Sequence, residues 1–253
     1  MITIRDLHKS FDGNQVLRGV NLEVEQGETM VVIGRSGCGK SVLLKHIIGL
    51  MKPDRGSIVV DGREVTRMDK QELNELRKMF GMVFQSAALF DSLTVAENVA
   101  FGLRRFTTLS EAEIGAKVAG KLELVGLSGA ERLYPAQLSG GMKKRAGLAR
   151  ALAMNPQIVL YDEPTTGIDP VLATSINELV RDLNKRLGVT SVVVTHDMAS
   201  ASTVGDRIAM LHEGVIRCVA TPKEISASDD PICRFFVRGG VGEPVESGGS
   251  EYV

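Results

Sequence analysis

Gly34-Arg35-Ser36-Gly37-Cys38-Gly39-Lys40-Ser41 has the spacing G-x-x-x-x-G-K-[ST]. Glycines at those places let the backbone curl until successive N–H groups point at one anion, and a helix starting there adds its positive end. Lys40 is placed to neutralise the β- and γ-phosphates of a nucleotide, and Ser41 to ligate Mg²⁺. The plainer alternative is a glycine turn with an incidental lysine. Cys38 fills a free position of the loop and reads as tolerated rather than reactive, although a helix N-terminus lowers a thiol pKa. A second element is Ile158-Val-Leu-Tyr-Asp162, an apolar run ending in a carboxylate that can hold the Mg²⁺ shell through water. Glu163 follows at once, where a carboxylate can act as general base on the attacking water. In isolation the two acids would simply cap a strand before Pro164. The third element is Leu138-Ser139-Gly140-Gly141-Met142, ahead of Lys143, Lys144 and Arg145. Ser-Gly-Gly at a helix start is another anion-binding nest, and alone it reads as a plain N-cap. One nucleotide needs one phosphate loop, so the second nest suggests a nucleotide held by a second chain.

These groups need strands to present them. Ile2–Leu7 and Val20–Val24 read as strands, the latter by alternation. Met30–Ile33, Phe80–Phe84, Ile158–Tyr161 and Ser191–Thr195 are continuous apolar runs of the kind covered on both faces. Ile208–Leu211 and Val215–Val219 read as a hairpin around His212-Glu213-Gly214. Helices are expected over Lys40–Leu50 and Val171–Leu187, the second closed by Gly188. Ser110–Gly126 and Gly140–Ala153 are also helical, the first with only a loose capping motif. Strands alternating with helices favour an α/β fold with a largely parallel sheet, and the helical block between Phe84 and Ile158 suggests an inserted subdomain. Residues 239–253 are rich in Gly and Glu and read as a flexible acidic tail.

Composition bounds the rest. The chain has 253 residues, 30 Lys+Arg against 31 Asp+Glu, and a formal charge of −1, which argues against a surface built to coat nucleic acid. No apolar run approaches the roughly 18 residues of a membrane span, and the start lacks a signal-peptide pattern. Cys38, Cys218 and Cys233 suggest neither a disulfide framework nor a zinc site, as in a reducing compartment.

The ordered set resembles the ATPase subunit of an ABC transporter: GRSGCGKS, Gln85 after an apolar strand, LSGGM, IVLYDE, Thr166-Gly-Ile-Asp169, and His196 after SVVVT. The likeness covers about residues 1–220. It implies a P-loop, RecA-like α/β core (1–85 and 156–220) with an N-terminal antiparallel β region. An inserted α-helical signature subdomain (86–155) and a C-terminal extension (221–238) would complete a domain over 1–238. It implies ATP bound by Phe11, Gly34, Arg35, Ser36, Gly37, Cys38, Gly39, Lys40, Ser41 and Val42, with Phe11 stacking on adenine unless it is ordinary core. Mg²⁺ would sit on Ser41, Gln85 and Asp162, and catalysis would fall to Glu163, His196, Lys40 and Gln85. In a head-to-tail homodimer, Ser139, Gly140 and Gly141 would close on the partner's nucleotide, and Asp169 would link the halves.

The signature departs from the family in ending with Met142 and then Lys-Lys-Arg. That ending, the FQSAALFDSLTVAENVAFGLR stretch (Phe84–Arg104) and DDPICRFFVRG (Asp229–Gly239) are similar to the Mla/MCE-type phospholipid transport ATPases. This implies a MlaE-like integral membrane permease met by Gln85 and the segment around 86–105. It also implies an MCE-domain lipid-binding protein, a small STAS-type accessory protein, and a place on the cytoplasmic face of the inner membrane. The expected function is thus ATP-driven phospholipid transport, with no nucleic-acid partner. The alternatives are an importer of a small polar solute such as an amino acid, or a soluble ABC ATPase without a permease. Phe235 and Phe236 would anchor the C-terminal segment on the core, the second subunit or an accessory protein.

Overall fold

The first strands form a four-stranded antiparallel sheet in the order β2-β1-β4-β5: β1 (Ile2–Phe11), β2 (Asn14–Val24), β4 (Arg55–Val60) and β5 (Arg63–Glu64). The structure is a computed structural model that describes residues 1–237, so the tail expected over 239–253 lies outside the described residues. β1 and β2 run past the apolar stretches that reveal them, because Asp12 and Gly13 both take positive φ (49° and 82°) and turn a tight hairpin. β4 and the helix α2 (Lys70–Arg77) escape sequence reading: one is half polar, and the other buries only Leu76.

The second sheet has six strands in the order β10-β9-β3-β8-β7-β6. These are β3 (Thr29–Ile33), β6 (Phe80–Val83), β7 (Ile158–Asp162), β8 (Thr190–Thr195), β9 (Arg207–His212) and β10 (Val215–Ala220). All neighbours are parallel except β9 and β10, joined by a two-residue turn at Glu213 and Gly214 with both φ positive. β3 is buried at every position. Alternation sends Val31 and Ile33 into one core and Met30 and Val32 into the other. The second core lies between this sheet, the antiparallel sheet and α1 (Lys40–Ile47).

The first core is roofed by α3 (Val95–Phe106), α4 (Glu111–Leu124), α5 (Gly140–Leu152), α6 (Pro170–Leu187) and α7 (Met198–Val204). From β6 to β7 the regular structure is entirely helical. α1 ends earlier than its sequence suggests, since Gly49 takes φ 67°. The cap of α4 is complete rather than loose: Ser110 N donates to Glu113 Oε2 at 2.8 Å, and Glu113 N donates back to Ser110 Oγ.

After α8 (Pro222–Ser226), α9 (Pro231–Val237) lies back along the first core, where Ile232, Phe236 and Val237 pack. Cys218 Sγ and Cys233 Sγ lie 2.9 Å apart as free thiols. Phe235 and Phe236 border the gap beside Gly34 and Arg35, so the aromatic pair rests on its own chain.

Candidate active site

Strand order assembles the site. Along β3-β8-β7-β6 the carboxyl ends deliver Gly34, His196, the Asp162–Glu163 pair and Gln85 in one row, because Ile33 pairs with Thr195, Asp162 with Val194 and Val83 with Tyr161. The crevice outside the carboxyl ends of parallel strands is where α/β sheets bind ligands. A cleft of about 440 Å³ opens there, walled by the phosphate loop on one side and by Gln85, Glu163, Thr166 and His196 on the other. Phe11, 39% exposed, and Val16 form its outer lip.

The loop is held by backbone geometry only glycine supplies. Gly37 and Gly39 take φ 81° and 106°. Gly34 is pressed against the Leu211 carbonyl, and a Cβ there would also fall 2.7 Å from Cys38 Sγ. Gly34→Ala is expected to destabilise the fold by about 1–3 kcal/mol through overpacking. Urea unfolding and ATP titration of the variant should show lower stability together with weaker nucleotide binding. Cys38 itself is half-buried, and burial pushes its thiol pKa up against the pull of Lys40, so the helix end does not make it a reactive thiolate.

Lys40 is 5% exposed and donates to Gly34 O at 2.8 Å and Arg35 O at 3.1 Å. Among the described residues it pairs with Glu163 Oε1 at 3.5 Å. An ammonium so buried gains from a further anion, which a polyphosphate supplies. Ser41 Oγ donates to Asp162 Oδ1 at 2.8 Å. A hydroxyl and a carboxylate side by side are hard oxygen donors that fit Mg²⁺, an ion that keeps several waters and takes its other ligands from phosphates.

Glu163 sits in the left-handed region (φ 49°), a conformation that costs a non-glycine residue of order 1–3 kcal/mol. Its N–H donates to Val194 O at 3.0 Å, which pins the turn to β8. Oε2 accepts from Thr166 Oγ1 at 2.7 Å and lies 2.5 Å from His196 Nδ1. Oε1 faces Lys40. This is a fixed carboxylate with one oxygen fully engaged and one turned toward the phosphate loop. Gln85 lines the same wall, its carbonyl accepting from Lys144 Nζ at 2.5 Å.

Ser139, Gly140 and Gly141 do not line this cleft. They open α5, where Ser139 Oγ accepts from Met142 N at 3.3 Å. Asp169 also stands apart, as the N-cap of α6, accepting from Leu172 N at 3.0 Å. Val16, Thr166 and Lys144 were not among the site residues expected from sequence. Thr166 had a signal, three residues after Glu163; the Lys143-Lys144-Arg145 run carried none that singles out Lys144.

A family model described as "ABC transporter" matches residues 17–166. The chain is 43% identical over 238 residues to "Probable ribonucleotide transport ATP-binding protein mkl" of Mycobacterium leprae, covering 94% of this chain and 69% of that protein. It is 43% identical over 236 residues to "Methionine import ATP-binding protein MetN" of Brucella abortus, covering 93% and 61%. It thus spans roughly two thirds of the length of these curated relatives. Among solved structures, the dimeric ATP-binding cassette MJ0796 in a post-hydrolysis state with ADP and Pi matches with TM-score 0.80 at 34% identity, over 88% of this chain and 99% of that one. CbiO1 of Clostridium perfringens, part of the transporter complex cbiONQ, matches with TM-score 0.83 at 31% identity, over 94% of each.

Proposed function

From the premise that this chain belongs to the ABC transporter family and is an ATP-hydrolysing subunit using ATP and Mg²⁺, we propose that closure and reopening of a head-to-tail homodimer powers import of a small polar solute through a membrane permease. The observation that carries the motor reading is the row formed by the phosphate loop with Lys40, then His196, Glu163 and Gln85, which follow the adjacent strands β3, β8, β7 and β6, with the Ser139–Gly141 nest outside the same cleft. Mg²⁺, when bound, would supply the positive charge that offsets charge developing on the phosphates. Lys40 and the loop N–H groups of Gly34 to Ser41 bind the phosphates, with Val42 behind them and Phe11 against the adenine. Ser41, Asp162 and Gln85 would hold the metal. Glu163 takes the water proton on Oε1, because Oε2 is already engaged by Thr166 and His196. With the carboxylate ionised, His196 Nδ1 donates to it, which orients the ring toward the γ-phosphate. Asp169 and the Ser139–Gly141 nest serve the partner's site.

The cargo reading departs from the phospholipid expectation. The two curated relatives are described by ribonucleotide transport and methionine import, which supports a small polar solute over a lipid. Lipid transport with a MlaE-like permease, an MCE-domain protein and a STAS-type subunit remains the second reading. It rests on LSGGM followed by Lys-Lys-Arg and on the Phe84–Arg104 and Asp229–Gly239 stretches. No helix among the described residues is long and apolar enough to cross a membrane. In both cargo readings the partner is a membrane permease, with this chain on its cytoplasmic face. The deciding experiment is ATPase activity of the complete reconstituted transporter. Stimulation by amino acids or nucleosides is expected, whereas stimulation by phospholipid alone would install the second reading.

A further inference from the structure

Lys143-Lys144-Arg145 is a run of three basic residues in α5, yet Lys144 is 7% exposed. Its ammonium faces two neutral acceptors, Gln85 O at 2.5 Å and Thr166 O at 3.0 Å. Burial lowers the ammonium pKa, and the nearby Glu163 carboxylate pulls it back up. Those carbonyls belong to separate loops, one leaving β6 and the other leaving β7. The rest of this face of α5 holds only the first loop. Arg150 donates to Ala87 O at 2.8 Å and to Ala88 O, while Gly147 leaves room for the Ala87 backbone. Ala87 and Ala88 both take positive φ, 62° and 47°, so that loop is bent and supported. Lys144 also hydrogen-bonds to the second loop, where the Thr166 hydroxyl donates to Glu163. One residue therefore separates the ammonium from the carboxylate.

We infer that Lys144 is a positioning residue of the ATPase: it ties the helix bearing the Ser139–Gly141 nest to both walls of its own chain's cleft. It sets Gln85 and the Thr166–Glu163 pair in one register. The inference rests on the reading of Glu163 as the water-activating carboxylate. An amide or methionine would reach neither carbonyl with a charged donor, and this coupling is a reason for the Lys-Lys-Arg sequence after the signature. It also gives the nest and the cleft of one chain a direct polar connection, so that a partner's nucleotide closing on the nest acts on the carboxylate serving the other site.

The test uses the full-length chain, with ATP and Mg²⁺, measuring kcat, KM, ATP affinity and Tm for Lys144→Met, Lys144→Gln and Lys144→Arg. Lys144→Met keeps the volume and removes the donors; it is expected to lower kcat about tenfold or more, as misplaced reacting groups do. KM and ATP affinity should stay within about twofold, because the phosphate loop is untouched. Lys144→Arg, which keeps charge and donors, should recover most of kcat, and Lys144→Gln should fall between. If the methionine variant does not fold, the glutamine and arginine pair carries the comparison. Unchanged kcat in Lys144→Met would overturn the inference. So would arginine and methionine variants equally slow with equal losses of Tm, which marks a purely structural lysine. Glu163→Gln run in parallel separates the two failures: full turnover there removes the carboxylate reading, whereas an inactive Glu163→Gln beside an active Lys144→Met removes only the role of Lys144.

Discussion

Glu163→Gln should stop steady-state ATP hydrolysis, lowering kcat by about 10²–10⁴-fold, the usual contribution of a positioned general base. The substitution keeps the shape of the side chain, and the amide oxygen can still accept from Thr166 Oγ1, which stands 2.7 Å from Oε2. The amide nitrogen then takes the place of Oε1, which lies 3.5 Å from Lys40 Nζ. That position loses its lone pair for a proton and its attraction for the ammonium. Binding should survive, since the loop and the Ser41–Asp162 pair are not altered. The expected picture is therefore ATP bound and not consumed, with the closed dimer accumulating because the step that reopens it is blocked. Phosphate release together with size-exclusion chromatography in ATP checks both halves. Turnover at the wild-type rate would remove Glu163 from the role of base.

Two crippled chains should rescue one another. Lys40→Met spoils the phosphate loop and leaves the nest intact. Gly140→Glu spoils the nest and leaves the loop intact; the fold should tolerate it, because a Cβ there meets nothing nearer than Ile168 at 3.7 Å, and a carboxylate suits a helix N-terminus. Each variant alone should lose about two orders of magnitude or more of activity, the scale of losing preorganised stabilisation of transition-state charge. In an equimolar mixture half the dimers are mixed, and each has one undamaged site, so about a quarter of all sites are intact. Phosphate release from mixtures of differently tagged chains measures this. Mixed dimers that form but recover nothing would refute sites shared between chains.

The residues that line the cleft were legible because their signals are local. The loop glycines, Lys40, Ser41 and the Asp162–Glu163 pair lie within short segments whose order alone constrains their roles. The parallel sheet was legible for a similar reason: β3, β7 and β8 are buried on nearly every residue, which leaves uninterrupted apolar runs. β4 and α2 were not, since their short apolar content becomes meaningful only once β1 and the second core are beside them. Lys144 shows the limit most sharply. Nothing in a Lys-Lys-Arg run distinguishes the half-buried Lys143 from the lysine buried under two loops. That distinction arises when the chain after β6 and the chain after β7 close over α5. The helix cap at Ser110 is the reverse case, a local signal stronger in the structure than its sequence reading allowed.

Gly141 has a consequence of a mechanical kind. A Cβ on it would fall 2.7 Å from both methyl carbons of Leu172, so α5 and α6 meet there with no slack. The backbone N–H of the same Leu172 is bonded to Asp169. A push on the nest therefore falls on the side chain of Leu172, the residue whose backbone N–H closes the turn that carries Asp169. The two helices are thus coupled at a single contact: a bulkier residue at 141 would displace the Leu172 side chain, and a smaller one at 172 would open a gap between α5 and α6. Signals between the two nucleotides would then fade without any change in the groups that perform hydrolysis.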